Sequence, residues 1–232
     1  STSWFSQLRE ITLLYSLPDP LVTLTSPPPT KTIWKSAVKS AVCSHWHTKL
    51  SNEAAKLPSL PHLHTSFLPL GQGCHPLWRT CGPSSSAVRS ATVQARMLSG
   101  RYRTDWLRRH WGPGESGACR LPSCTSPRGD LEHLLSAACP ALAPTLAHTL
   151  THTLDFLAPY PLLISTIQDA LLREPEHFVS FLLDPSTDFS VIPLVQQHRR
   201  HILVQHFRFS RAWVWAAHRH RLRLLGLHQY LL

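Results

Sequence analysis

From Lys31 the run KTIWKSAVKSAVCSHWHTKLSNEAAKL sets Trp34, Val38, Val42, Trp46 and Leu50 at four-residue steps, with Ala37, Ala41 and Ala54 beside them. Lys35 and Lys39 fall on another face. This is a helical period, and it predicts one amphipathic helix that Pro58 stops. A second pattern runs from about Ser86 to His110. A serine cap precedes Val88, Ala91, Ala95 and Leu98 on one face, while Arg89 and Arg96, seven positions apart, lie about two turns along another. Gly100 ends or kinks this helix before RYRTDWLRRHW. Beyond the cysteines the pattern is again helical over roughly 141–157, 160–172, 175–183 and 191–224, with short prolyl or Asp-Pro breaks between segments.

Alternating strand patterns are few, and there is no internal repeat. Proline clusters at 16–20 (SLPDP), 26–30 (SPPPT), 57–64 (LPSLPHLH) and 81–86 (CGPSSS) punctuate the rest. The expected fold is all-α, with helical segments joined by proline-rich loops around a small Cys-Cys-His-Cys zinc-stapled element. Three regions are expected: a helical segment over 1–74, an arginine-rich helix with the zinc element over 75–145, and a helical bundle with a basic end over 146–232.

Charge changes this picture by sorting the chain into blocks. The 232 residues carry a formal net charge of +10. Residues 75–128 hold nine arginines against only Asp105 and Glu115; residues 129–194 hold eight acids against Arg173 alone; from 195 onward there are seven arginines and no acid. All five lysines lie between Lys31 and Lys56. Arginine carries a planar fork that suits phosphates and stacks on bases, so the bias points to nucleic acid. The alternative is a set of solvated helix faces paired with the acidic middle.

Candidate chemistry centres on CRLPSCTSPRGDLEHLLSAAC, which holds three of the six cysteines at Cys119, Cys124 and Cys139, with His133 between them. The order Cys119-x4-Cys124-x8-His133-x5-Cys139 offers four ligands of the kind that structural zinc takes, closing a tetrahedron with no open position. Pro122 and Ser123 suit a first turn, and Pro127, Arg128 and Gly129 a second. Asp130 is placed to cap a short helix carrying His133 in its first turn. His133 and Cys139 are not on one helix face, so that helix is expected to end near Ala138, before Pro140. The alternative is that the cysteines are small buried hydrophobes in a chain with sixteen histidines. Cys74, His75 and Cys81 could make a second site only with a fourth ligand that the sequence does not identify, and packing or chance is the expected reading.

Other chemistries are poorly provided for. There is no adjacent aspartate pair to hold two metal ions for phosphoryl transfer, no Glu-x-Lys of a restriction-like nuclease, and no Gly-x-Ser-x-Gly elbow. No small-molecule substrate and no catalytic residue are expected. No apolar run long enough for a membrane span and no secretory leader are seen, so the chain is expected to be intracellular, in a reducing compartment. It opens on Ser1 and its one methionine is Met97, so it is expected to be a piece of a longer reading frame.

The phrase ARMLSGRYRTDWLRRHW, followed by GACRLPSC and LEHLLSAACPAL, resembles the region after the polymerase domain in endonuclease/reverse transcriptase proteins of non-LTR (LINE-type) retrotransposons. The opening WFSQLREITLLYSLPDPLVTL and the later FVSFLLDPSTD and RLRLLGL are similar to the same proteins. This resemblance implies one structural zinc on Cys119, Cys124, His133 and Cys139, and a role in binding template RNA or target DNA beside a parent polymerase domain. It also implies a nuclear or nucleocytoplasmic setting. Arg96, Arg101, Arg103, Arg108 and Arg109 become candidates for phosphate contact. Trp106 and Trp111, interleaved with these arginines, become candidates for base stacking. The competing readings are a helical protein-interaction scaffold and a retroelement fragment without activity.

Overall fold

A computed structural model describes residues 3–25, 27–57, 60, 62, 76–110, 112, 116–185 and 196–227. Among the described residues helix is the only regular secondary structure, with no strand. The elements are α1 (Trp4–Leu14), α2 (Pro20–Thr25), α3 (Lys31–Ala54), α4 (Pro76–Arg79), α5 (Ser85–Leu98), α6 (Asp105–Arg108), α7 (Leu131–Leu135), α8 (Ala143–Leu157), α9 (Pro161–Leu171), α10 (Pro175–Leu183) and α11 (Gln196–Leu224). Thr30 caps α3 by accepting from the Ile33 N–H at 3.4 Å, and prolines open α8, α9 and α10, where a missing N–H costs nothing. Gly100, at φ +64°, ends α5 in the left-handed conformation that glycine adopts without strain.

The longest helix, α11, is the axis of the core. It lies along α5 and α8 and also touches α4 and α7, while α10 packs on α7, α9 and α5. Its buried face carries Phe207, Phe209, Trp213, Val214 and Ala217, which meet Phe178 and Phe181 of α10 and Leu134 and Leu135 of α7 in one cluster. The Trp213 indole N–H donates to the Leu135 carbonyl at 2.9 Å, so the largest buried side chain also satisfies the end of α7. This cluster draws on residues from Leu77 to Ala217 and includes Leu142 and Leu146 of the α8 region.

Two helix faces differ from the expected ones. The buried face of α5 is Ser90, Ala91, Val93, Gln94, Met97 and Leu98, whereas Val88 is 42% exposed. Gln94 sits inside because the buried C-terminal carbonyls of α10 need donors. Its side-chain amide reaches the Leu183 carbonyl at 3.5 Å and Ser210 Oγ at 2.6 Å. Ser210 Oγ and His206 Nε2 meet the neighbouring Leu182 carbonyl. These side chains take the place of a backbone cap at the end of α10. In α3 the expected helix is present but its stripe buries nothing: Trp46 and Leu50 stay 42% and 40% exposed. Its ties are local, such as the edge-on contact of Tyr15 with His45.

His206 is fully buried, and burial pushes its pKa down to about 3. The folded ring therefore stays neutral at pH 5, where an unfolded one takes up a proton. Its contribution is complete above the ordinary histidine value of about 6.5 and is lost progressively below it. The fold is expected to lose about 2 kcal/mol from this group between pH 7.5 and pH 5. Urea unfolding at both values, compared with His206→Phe, checks this: the variant should show a shallower pH dependence, whatever its absolute stability.

Candidate metal centre

The metal-ligand candidates come from two loops and one turn of helix. Cys119 N–H donates to the Ser126 carbonyl at 3.0 Å, closing a loop in which Cys124 N–H donates to the Leu121 carbonyl at 3.2 Å. Ser123, just before Cys124, takes φ +61°. Asp130 caps α7 as expected, its Oδ1 accepting from the His133 N–H at 2.9 Å. Where the helix was expected to run to Ala138, it stops at Leu135, and Ala137 adopts φ +61°. A non-glycine residue in that region carries about 1–2 kcal/mol of strain. The reversal brings Cys139 back beside His133, which a helix continued to Ala138 would not do. Strained residues thus precede two of the four ligands.

The outcome is one cluster. Cys119, Cys124 and Cys139 Sγ and a His133 ring nitrogen all lie within 4.8 Å of one another, with Cys124 Sγ 3.2 Å from His133 Nε2. Tetrahedral bonds of about 2.3 Å to sulfur and 2.0 Å to nitrogen fit inside that spread after small side-chain movements. Three of the four are buried and Cys124 is partly so.

The electrostatics suit a cation. Burial pushes the Cys119 thiol up to about 12, with the other two cysteines adding to the rise, and burial raises Cys139 as well. Backbone hydrogen bonds from Leu121 to Cys119, and from Ala141 and Leu142 to Cys139, act the other way and favour the thiolates. Burial also lowers the His133 pKa, leaving a neutral ring able to coordinate. A metal ion would displace the thiol protons and supply the charge this pocket lacks. The donor set is three thiols and one imidazole, close enough together to hold a metal ion.

A second set of contacts fastens the loop to the core. Asp105, 1% exposed, accepts Arg221 Nη2 at 3.0 Å on Oδ1 and the Arg120 N–H at 3.3 Å on Oδ2. Arg221 Nη1 also donates to the Arg103 carbonyl at 3.1 Å. Tyr102 shares a hydrogen bond with His218 Nδ1 at 3.1 Å, and burial, Arg221 and Arg96 together push His218 down to about 4. Gly129 packs so tightly that a Cβ there would lie 2.9 Å from the Asp105 Cβ and 3.1 Å from the Cys119 Cα. Buried His62 touches Ser180 at 2.9 Å and Glu132 at 3.5 Å, joining α7 to α10. Arg96, Arg103 and Gly129 were singled out for other roles, but the pairing of Asp105 with Arg221 and of His62 with Glu132 was not, although Asp105, one of two acids in the arginine-rich block, carried a visible signal.

The proposed contact residues divide. Arg96, Arg101, Arg103 and Arg109 are exposed, and Arg108 is partly buried. Trp106 is partly buried with the Arg109 guanidinium 3.6 Å and the Arg128 guanidinium 4.6 Å from its ring centre. Trp111 lies outside the described residues, as do Cys74 and His75. The buried Cys81 thiol donates to the Leu77 carbonyl at 3.2 Å. No helix among the described residues is long and apolar enough to cross a membrane. Comparison with known families, curated proteins and solved structures gives no match.

Proposed function

We propose that this chain is a zinc-stapled, nucleic-acid-binding accessory region of a retrotransposon reverse transcriptase, without a catalytic site of its own. It would act on template RNA or target DNA next to a parent polymerase domain, in a nuclear or nucleocytoplasmic setting. The observation that carries this reading is the run of exposed arginines, Arg96, Arg101, Arg103, Arg109, Arg120 and Arg128, that leads into and enters the four-ligand loop. Arginine there offers phosphate contacts on a surface whose shape the metal holds. Zinc is the natural occupant because three thiolates and one imidazole match its preference and leave no vacant position.

Two features favour the second reading, a protein-interaction scaffold: Trp4 and Ile33 on α1 and α3 are 73% and 61% exposed. Salt dependence separates the two. With Z phosphate contacts, log K for single strands falls with log salt at about −0.7Z. Changing Arg101, Arg103, Arg108 and Arg109 together to glutamine is expected to reduce that slope and weaken binding while the protein keeps its zinc. A flat salt response of the native chain would favour the scaffold.

A further inference from the structure

The loop that carries the ligands also carries Arg128, and Arg128 lies over Trp106. Its Nε is 2.6 Å from Asp130 Oδ2, and Asp130 caps the helix that presents His133. On the other side, Trp106 N–H donates to the Gly129 carbonyl at 3.2 Å, and Gly129 N–H to the Gly117 carbonyl at 2.9 Å. Gly117 is where the indole rests: a Cβ there would lie 2.6 Å from the Trp106 ring. The ring is thus held by the loop's backbone, with Arg109 stacked on it at 3.6 Å. Arg109 Nε is directed to His110 at 3.1 Å, while the residue itself is exposed.

We infer that the Arg109–Trp106–Arg128 stack is a docking site for an unpaired nucleotide, assembled by the metal loop. This rests on the nucleic-acid reading and narrows it to single strands. A guanidinium centred 3.6 Å over an indole is restrained by it, and because Arg109 is exposed its plane is available as the kind of stacking surface that arginine provides for splayed bases. A base within a duplex has no free face to offer it. Arg128, whose side chain is 59% exposed, supplies the phosphate contact. The metal acts indirectly, by holding the turn from Cys124 to His133 on which Arg128 sits. In this arrangement the Trp106 ring is the support, and Arg109 is the contact.

The test uses the zinc-loaded chain, fluorescently labelled oligo-U and oligo-dT, and a matched duplex, with anisotropy read at several salt concentrations. Arg109→Lys keeps the charge and removes the plane. It is expected to weaken binding to both single strands about tenfold, within the range of one lost stacking contact, with the salt slope and duplex affinity unchanged. Arg128→Gln is expected to lower the single-strand slope by about 0.7, one phosphate contact. Both side chains are exposed, and zinc content verifies that each variant is folded around its loop. If the native chain binds with the expected salt slope and both variants match it, the docking site is wrong and the broader reading stands. If the native chain shows no salt-dependent binding, both fall.

Discussion

His133→Ala and Cys139→Ser are each expected to release the metal and to lower the unfolding free energy by about 4 kcal/mol when metal is present at a thousand times its Kd. Cys139 is fully buried and His133 nearly so, so neither vacated position can be filled by water without opening the loop. The remaining thiols would revert to their protonated forms, since burial raises Cys119 and Cys139 once no cation offsets it. Ala137 and Ser123 would then keep their positive φ angles without the metal bonds that offset the strain. Because Trp213 donates to the carbonyl of Leu135 at the end of α7, the loss should reach the core. Calorimetry with metal added and removed reads the effect, and both variants should lose the metal-dependent rise in Tm.

Asp105→Ala is the second large effect, expected to cost about 3–5 kcal/mol. Arg221 is 7% exposed and would keep the Arg103 carbonyl and Tyr102, neither of which carries a compensating charge, while the Arg120 N–H would lose its acceptor. Most of that cost is the uncompensated buried cation. Asp105→Ala combined with Arg221→Met should therefore recover much of the stability lost in the single variant, as measured by urea unfolding. Equal losses in the single and double variants would show that the pair is not coupled.

Local features of the site were legible because they obey short-range rules. Asp130 before a short apolar run caps α7 as anticipated, Gly100 ends α5, and the starts of α9 and α10 follow their prolines. What could not be read depends on distant partners. Gln94 looks like a surface residue until the unsatisfied carbonyls of α10, 89 residues away, are placed beside it. Arg221 looks like part of a basic surface until Asp105 meets it from 116 residues away. Val88 fits the apolar period of α5 yet stays exposed, because the helix turns Gln94 and Met97 inward instead. The early end of α7 escaped for a different reason: alanine at φ +61° breaks the usual preference for glycine, and only the approach of Cys139 to His133 gives it a purpose.

Whether the four side chains form one closed metal centre is read by measuring metal content together with X-ray absorption at the metal edge. One zinc per chain is expected, bound by three sulfurs at about 2.3 Å and one nitrogen at about 2.0 Å. A metal-free protein purified under reducing conditions with zinc supplied, or a bound zinc surrounded by oxygen in place of sulfur, would contradict it.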